Sequence, residues 1–366
     1  MKERFSQFDL RCMARAVSLG EYGRGAVGTN PLVGAVITRR GKVVGEGWHA
    51  FYGGPHAEAV ALARAGEKSR GGTAYISLEP CSHAGKTPPC TRMLLASGIR
   101  RVVYASPDPH EKGAGTREIR KAGIQVSGGL MEAEARSMNN QYFVSLRQGS
   151  PYVFLKLAMT MDGKIADFRG RSKWISSGLA RSWTRSLRSN VDAIMVGVGT
   201  VLADDPRLSA PVGSHQPVKI IVDSMAQTPP RSRLLQGGKV LLACSAGAPK
   251  KRVGNLRMAG AEIITSAMKK DRIDLKSLMR SLMDRGIGSL VCEGGARLAG
   301  SLLDGRLINR MVVVMSPRLL GGTRSLPALM GRDFPLSSSR ILGNVSVSRL
   351  GTDILVEGDM SGKGGR

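Results

Sequence analysis

Three potential metal ligands and one carboxylate lie in two short stretches of this chain, and any fold it adopts must bring them together. The first stretch reads His56-Ala57-Glu58. The second reads Glu79-Pro80-Cys81-Ser82-His83 and runs on to Thr87-Pro88-Pro89-Cys90. A neutral imidazole and two thiolates suit zinc, which holds such donors tetrahedrally. Three protein ligands leave the fourth position for a water, as catalytic zinc sites require. In a regular helix Glu58 would lie about 200° around the axis from His56. At a helix start the entering turn is irregular, and both side chains can reach one cavity. A carboxylate in that place can take a proton from water and deliver it to a leaving amine.

Two plainer readings compete. A closed structural zinc site would need a fourth ligand, for which His83 is the only good local candidate, and it would leave Glu58 without a purpose. Buried cysteines with no metal are the other. An H-x-E element followed by P-C-x-x-C is the signature of zinc-dependent base deaminases, where the glutamate is the acid/base and not a ligand, and His56-Ala57-Glu58 and Pro80-Cys81 supply its H-x-E and Pro-Cys parts.

The 366 residues suffice for two domains with substantial cores, and 42% hydrophobic content indicates a globular chain. No apolar run approaches the roughly 18 residues of a membrane span. The N-terminal stretch lacks a signal-peptide core. Five cysteines, at 12, 81, 90, 244 and 292, do not form a secreted disulfide framework. The expected compartment is the cytoplasm, whose reducing milieu keeps Cys81 and Cys90 free for metal. The net charge of +26 is spread along both halves. It would attract nucleic acid or phosphorylated small molecules, or it is simply solvated. Aromatic content of 4% weighs against gripping nucleic acid, which needs stacking surfaces.

Apolar patterning predicts helices at 6–22, 56–65, 91–96 and 131–147, with strands at 33–37, 43–48, 72–78 and 101–105. Such alternation predicts an α/β fold with helices on a mixed or parallel sheet. His56 and Cys81 would sit at the starts of two neighbouring helices. Asn30 meets the first strand, either as a turn-former or as a hydrogen-bonding group for a base edge. Gln148-Gly149-Ser150-Pro151 marks a boundary, giving domains 1–148 and 149–366. In the second domain two turns are candidate phosphate cradles, Gly197-Val198-Gly199-Thr200 and Glu293-Gly294-Gly295-Ala296. Each is weak alone and lacks the Rossmann spacing, but together they favour a dinucleotide.

These residues resemble one family, the bifunctional deaminase/reductases of riboflavin biosynthesis. The resemblance rests on His56-Ala57-Glu58, on Pro80-Cys81-Ser82-His83-x-Gly85-x-Thr87-Pro88-Pro89-Cys90 and on Asn30-Pro31-x-Val33-Gly34. In the second half it rests on Met161-Asp162-Gly163-Lys164-Ile165-Ala166, Ser172-x-Trp174-Ile175, Val201-Leu202-Ala203-Asp204-Asp205-Pro206 and Glu293-Gly294-Gly295. Eight residues separate the two cysteines, where nucleic-acid and free-nucleoside deaminases usually have two.

The resemblance implies a cytidine-deaminase-like N-terminal domain and a dihydrofolate-reductase-like C-terminal domain. It implies one Zn2+ per chain on His56, Cys81 and Cys90, with Glu58 as proton shuttle. The substrate would be a diaminopyrimidinone bearing a ribosylamino 5'-phosphate, deaminated first and then reduced by NADPH at the ribosyl group. Cofactor contacts would come from Ala158, Trp174, Thr200, Asp204, Ser224 and the run Gly295, Ala296, Arg297, Leu298, Ala299, Gly300, Ser301. Substrate contacts would come from Asn30, Lys156, Ser172, Arg188, Leu208 and Glu293, with Arg188 suited to the phosphate. Beyond this phosphorylated pyrimidine, the expected partners are further copies of the chain in a homo-oligomer, without membrane or nucleic acid. Two positions depart from the family: His110, where asparagine is usual, and Ser209-Ala210-Pro211, where an arginine often follows Leu208. The competing class is a nucleic-acid base deaminase with an accessory C-terminal domain.

Overall fold

Apolar residues run almost unbroken along the central strands of the first half, so both faces of its sheet need cover. Ala35, Ile37, Ala74, Ile76 and Val102 point to one face, where they meet Ala57, Ala61, Leu94 and Ile119. Val36, Tyr75, Val103 and Ala105 point to the other, against Met13, Ala16, Leu19 and Ala135. The result is a helix–sheet–helix sandwich. In the computed structural model, which describes residues 5–83 and 88–360, contacts divide the chain into Met1–Arg147 and Gln148–Arg366. Gly85 and Thr87 of the cysteine loop lie outside the described residues.

The first unit runs α1 (Gln7–Gly20), β1 (Gly34–Arg39), β2 (Lys42–Trp48), α2 (Ala57–Ala65), β3 (Thr73–Leu78), α3 (Cys90–Ala96), β4 (Arg101–Ser106), α4 (Ala114–Lys121), β5 (Gln125–Gly128), α5 (Glu132–Met138) and α6 (Asn140–Gln148). The sheet order is β2-β1-β3-β4-β5. β1 is antiparallel to β2 and β3, whereas β3, β4 and β5 are parallel. The alanine content of α2 has a packing cause. A Cβ on Gly45 of β2 would lie 2.2 Å from the Ala61 carbonyl oxygen, and one on Gly47 would lie 2.6 Å from that of Ala57. Small residues on both sides let the helix backbone press onto the strand, which fixes the depth of the helix start.

The helix expected over 131–147 is two helices. Asn139 breaks it at φ −97°, ψ 15°. Its buried amide accepts from Leu32 N at 2.7 Å and donates to Leu32 O at 2.8 Å. These bonds satisfy a buried backbone pair two residues from Asn30.

The second unit runs β6 (Tyr152–Thr160), β7 (Lys164–Ala166), α7 (Gly178–Arg188), β8 (Ala193–Gly197), α8 (Val198–Asp204), β9 (Val218–Val222), β10 (Val240–Cys244), α9 (Lys250–Met258), β11 (Ala261–Thr265), β12 (Met268–Lys269), β13 (Arg272–Ile273), α10 (Leu275–Asp284), β14 (Ser289–Cys292), α11 (Ala296–Asp304), β15 (Arg310–Ser316), β16 (Leu326–Pro327), β17 (Leu342–Leu350) and β18 (Asp353–Met360). Nine strands form the main sheet in the order β11-β10-β9-β8-β14-β6-β15-β18-β17. β11 to β15 in that order are parallel, and β18 and β17 are antiparallel additions. Alternate residues of β6, β8, β10 and β14 join α10 and α11 in one core, including Leu155, Met195, Leu241, Leu290, Leu278 and Leu302. Burying each such side chain contributes roughly 1.5–3 kcal/mol. β14 enters between β6 and β8, out of sequence order. A crevice outside the carboxyl ends of parallel strands at such a point is where open α/β sheets bind ligands.

Candidate active sites

His56 is the N-cap of α2 and keeps extended backbone (φ −71°, ψ 159°), while Glu58 already belongs to the first turn. The helix-wheel conflict between them therefore disappears, because only one of the two is helical. His56 Nδ1 lies 3.2 Å from Cys90 Sγ and 3.5 Å from Cys81 Sγ. Cys90 opens α3. Cys81, expected at a helix start, sits instead in the loop after β3. It still meets that helix start, since Thr91 N donates to its carbonyl at 3.1 Å and Cys90 N donates to its sulfur at 3.4 Å. The ligand atoms of His56, Cys81 and Cys90 all lie within 4.8 Å of one another. His83 is not in this group; its Nδ1 is 2.5 Å from Glu111 Oε1.

The two thiols differ in acidity. The hydrogen bond from Cys90 holds Cys81 far below the ordinary thiol range; burial opposes the shift and His56 assists it. Cys90 is driven the other way by Cys81, by burial and by Glu58. The pair keeps one proton, which a cation among the donors would expel. The set fits zinc: one imidazole nitrogen and two sulfurs converge, and one thiol ionises readily. Glu58, 4% exposed, is raised first by burial and then by the charge of Cys81.

Asn30 makes a hydrogen bond beyond its turn. Its Nδ2 lies 3.0 Å from His49 Nε2, and His49 Nδ1 lies 3.0 Å from the Pro55 carbonyl. The carbonyl can only accept, so Nδ1 carries the proton and Nε2 accepts from Asn30. This chain of bonds orients the Asn30 amide, and the His49 ring stands edge-on to His56 at 5.6 Å. His49 was not among the sequence candidates; a histidine ending an apolar strand is a weak signal.

In the second unit the expected residues come from β6, from the turns after β8, β9 and β14, from the end of α7 and from the loops at 172–174 and 208. Cys292 pairs with Leu155, so one further step sets Glu293 beside Lys156 on the face opposite the core. Arg188, the last residue of α7, is committed to Glu293 by two bonds, Nε to Oε1 at 2.7 Å and Nη2 to Oε2 at 2.9 Å. Its Nη1 donates to Ser209 O at 3.0 Å. The arginine expected on the substrate phosphate is thus mainly engaged within the protein. Burial resists charge on Glu293, but Arg188 and then Lys156 outweigh it and hold the carboxyl below its usual range. Burial lowers the Lys156 pKa, opposed by Glu293 and aided by Arg188.

Thr200, in the first turn of α8, accepts from Gly295 N at 3.0 Å, so the two glycine turns lie side by side. A Cβ on Gly199 would meet nothing within 4 Å, and Gly295 supplies no capping side chain to α11. Nothing in the packing demands a glycine at 199, and the open turn fits a bound pyrophosphate. Ser172 Oγ donates to Asp204 at 2.7 Å, and Trp174 is 65% exposed with Arg181 over its ring at 4.5 Å. Ser224 follows β9, Ala158 lies on β6 beside Lys156, and Leu208 is buried at φ +54°. The run 295–301 divides. Leu298 and Ala299 belong to the core, and a Cβ on Gly300 would lie 1.9 Å from Met330 O. Ser301 Oγ donates to Arg297 O. Gly295 is the residue of the run that meets the Thr200 turn.

Family comparison agrees with this geometry. Residues 6–106 match the model of the cytidine and deoxycytidylate deaminase zinc-binding region, and residues 151–356 match the RibD C-terminal domain. The riboflavin biosynthesis protein RibD of Actinobacillus pleuropneumoniae is 37% identical over 95% of this chain and 94% of its own length. The solved structure of Acinetobacter baumannii RibD, form 1, superposes with a TM-score of 0.85 at 31% identity, covering 97% of this chain and 99% of that one. A Thermotoga maritima structure described as a diaminohydroxyphosphoribosylaminopyrimidine deaminase/5-amino-6-(5-phosphoribosylamino)uracil reductase gives 0.80 at 32% identity, with coverage of 97% and 99%. The first unit is cytidine-deaminase-like and the second dihydrofolate-reductase-like. The chain belongs to the RibD family of riboflavin biosynthesis proteins.

Proposed function

We propose that the first unit hydrolytically deaminates a diaminopyrimidinone carrying a ribosylamino 5'-phosphate, and that the second reduces the ribosyl group to ribityl with NADPH. The observation that carries this reading is the convergence of His56 Nδ1, Cys81 Sγ and Cys90 Sγ next to the buried Glu58. The substrate is that named for the Thermotoga maritima relative. One zinc ion per chain would be held by these three residues; when bound it supplies Lewis acidity that makes water nucleophilic near neutral pH. Glu58 takes the proton of the attacking water and gives it to the departing amine. Asn30, oriented by His49, hydrogen-bonds the pyrimidine edge.

NADPH, when bound, supplies the hydride. Its pyrophosphate would lie on the paired turns of Thr200 and Gly295, with Ala158, Trp174, Asp204 and Ser224 along the crevice. Ser172, Leu208 and Lys156 border the ribosyl chain. Lys156 holds a proton that burial makes easier to release, and Glu293 is the fixed anion beside it. Arg188 holds Glu293 in place. The departure at Ser209 supplies a carbonyl to Arg188 where an arginine was expected. The reaction would run in the cytoplasm, on a homo-oligomer. Among the described residues no helix is long and apolar enough to cross a membrane. Incubation with the diaminopyrimidinone should release ammonia without NADPH and oxidise NADPH only afterwards. NADPH oxidation without prior ammonia release would reject that order.

A further inference from the structure

The connection between β4 and α4 holds the loop that carries Cys81, and no functional role attaches to it in the reading above. Glu111 in that connection is 4% exposed. Its Oε2 accepts from Ser82 N at 3.0 Å and from Ser82 Oγ at 2.6 Å, and its Oε1 faces His83 Nδ1 at 2.5 Å. Both residues directly after Cys81 are therefore tied to one buried carboxylate. On the other side of Cys81, Glu79 accepts from Thr116 Oγ1 at 3.0 Å. Between them a Cβ on Gly115 would lie 1.9 Å from Pro80 O, so the backbone of 115 lies directly on the backbone before Cys81. Residues 111 to 116 grip the chain from 79 to 83 at three points.

Such a grip has a physical purpose. Cys81 is a loop residue, and its sulfur must stay beside His56 and Cys90. A buried carboxylate is costly unless hydrogen-bonded, so it occurs where its acceptors are used. A backbone N–H, a hydroxyl and an imidazole on one carboxylate fix the direction in which the chain leaves Cys81. Partners of this kind orient metal ligands, and their loss typically lowers metal affinity by roughly 10–100-fold.

We infer that Glu111 is a positioning residue of the deaminase site, setting the Cys81 thiol for zinc through its bonds to Ser82 and His83. The inference rests on the zinc site proposed above. Glu111→Ala in the full chain should weaken zinc binding by roughly 10–100-fold in competition with a chromophoric chelator. Reduction of pre-deaminated substrate should be unchanged. Glu111→Gln keeps one acceptor oxygen and should fall between wild type and Glu111→Ala, so it reads the same effect if the alanine variant does not fold. Ser82→Ala should weaken binding less, and adding it to Glu111→Ala should cost little more, because both act through one contact. The thiolate-to-metal absorption of the cobalt-substituted protein should shift in Glu111→Ala. Wild-type affinity and an unshifted cobalt spectrum in Glu111→Ala and Glu111→Gln would overturn the inference, even if both variants melt earlier. Failure of the wild-type chain to bind zinc would reject the metal site itself, a distinguishable result.

Discussion

Glu58 of the first unit is buried and Glu293 of the second is largely so, and their surroundings push the two carboxyls in opposite directions. Burial and then the Cys81 charge raise Glu58, and the His56 imidazole opposes them. Burial opposes charge on Glu293, yet Arg188, through its charge and its hydrogen bonds, and then Lys156 hold the carboxyl below its usual range. A zinc ion on His56, Cys81 and Cys90 would pull Glu58 back down, placing it between two opposing influences. A carboxyl balanced in that way can gain and lose a proton in one catalytic cycle. One clamped by a bidentate arginine cannot, and serves as a fixed charge. On the proposed function the same residue type would be a proton carrier in one unit and an electrostatic post in the other, decided by whether a permanent cation stands beside it.

The largest consequence concerns the carrier. Glu58→Gln keeps the three metal donors and removes the shuttle, so ammonia release should fall by roughly 10²-fold or more with zinc content unchanged. Reduction of pre-deaminated substrate should continue. Near-normal ammonia release would place the proton transfer on another residue and dissolve the contrast.

The next concerns the post. Arg188→Ala and Glu293→Gln should each lower reductase kcat/KM by roughly 10–100-fold, the range of a charge-assisted bond. The double variant should lose no more than the worse single one, since both remove one interaction. Additive losses would mean that Arg188 meets the substrate phosphate independently of Glu293.

The cluster of His56, Cys81 and Cys90 was legible because two short motifs hold all three together with Glu58. The α/β alternation was legible for the same reason, since strand and helix periods are properties of short windows. What escaped is set by distant partners. Asn139 breaks a continuous apolar period because Leu32 needs its amide. β17 escaped although Val345-Ser346-Val347-Ser348 alternates, because both valines are exposed and mark no buried face. α8 was missed because Gly197 and Gly199 read as a turn. The Arg188–Glu293 clamp spans 105 positions, and no window of sequence pairs them. In the second unit the candidate residues come from strands, helix ends and loops far apart in sequence, so the resemblance supplied the candidates and the structure their surroundings.

The smallest effect is one of stability and belongs to the first unit alone. Burial disfavours charge on Asp9, but hydrogen bonds from Tyr75, Ser6 and Arg101 outweigh it and hold its pKa at about 2. A folded value below the unfolded one stabilises the fold at pH above the unfolded value near 3.8 and loses that stability as the pH falls through about 2. The contribution is about 2 kcal/mol at neutral pH. Asp9→Asn should flatten the acid dependence of amide exchange in α1 and β3 while leaving the second unit unchanged. An unaltered pH profile would mean that the Tyr75–Asp9–Arg101 network does not couple to folding.

The central claim is that each unit holds its own complete chemistry, with zinc serving the first alone. Its most direct measurement is the pair of activities before and after zinc is stripped from the full chain by a chelator. Ammonia release should vanish and return on adding zinc, while NADPH oxidation with pre-deaminated substrate stays at its starting rate. Loss of both activities in a chain that remains folded, or ammonia release that survives complete removal of the metal, would contradict the account.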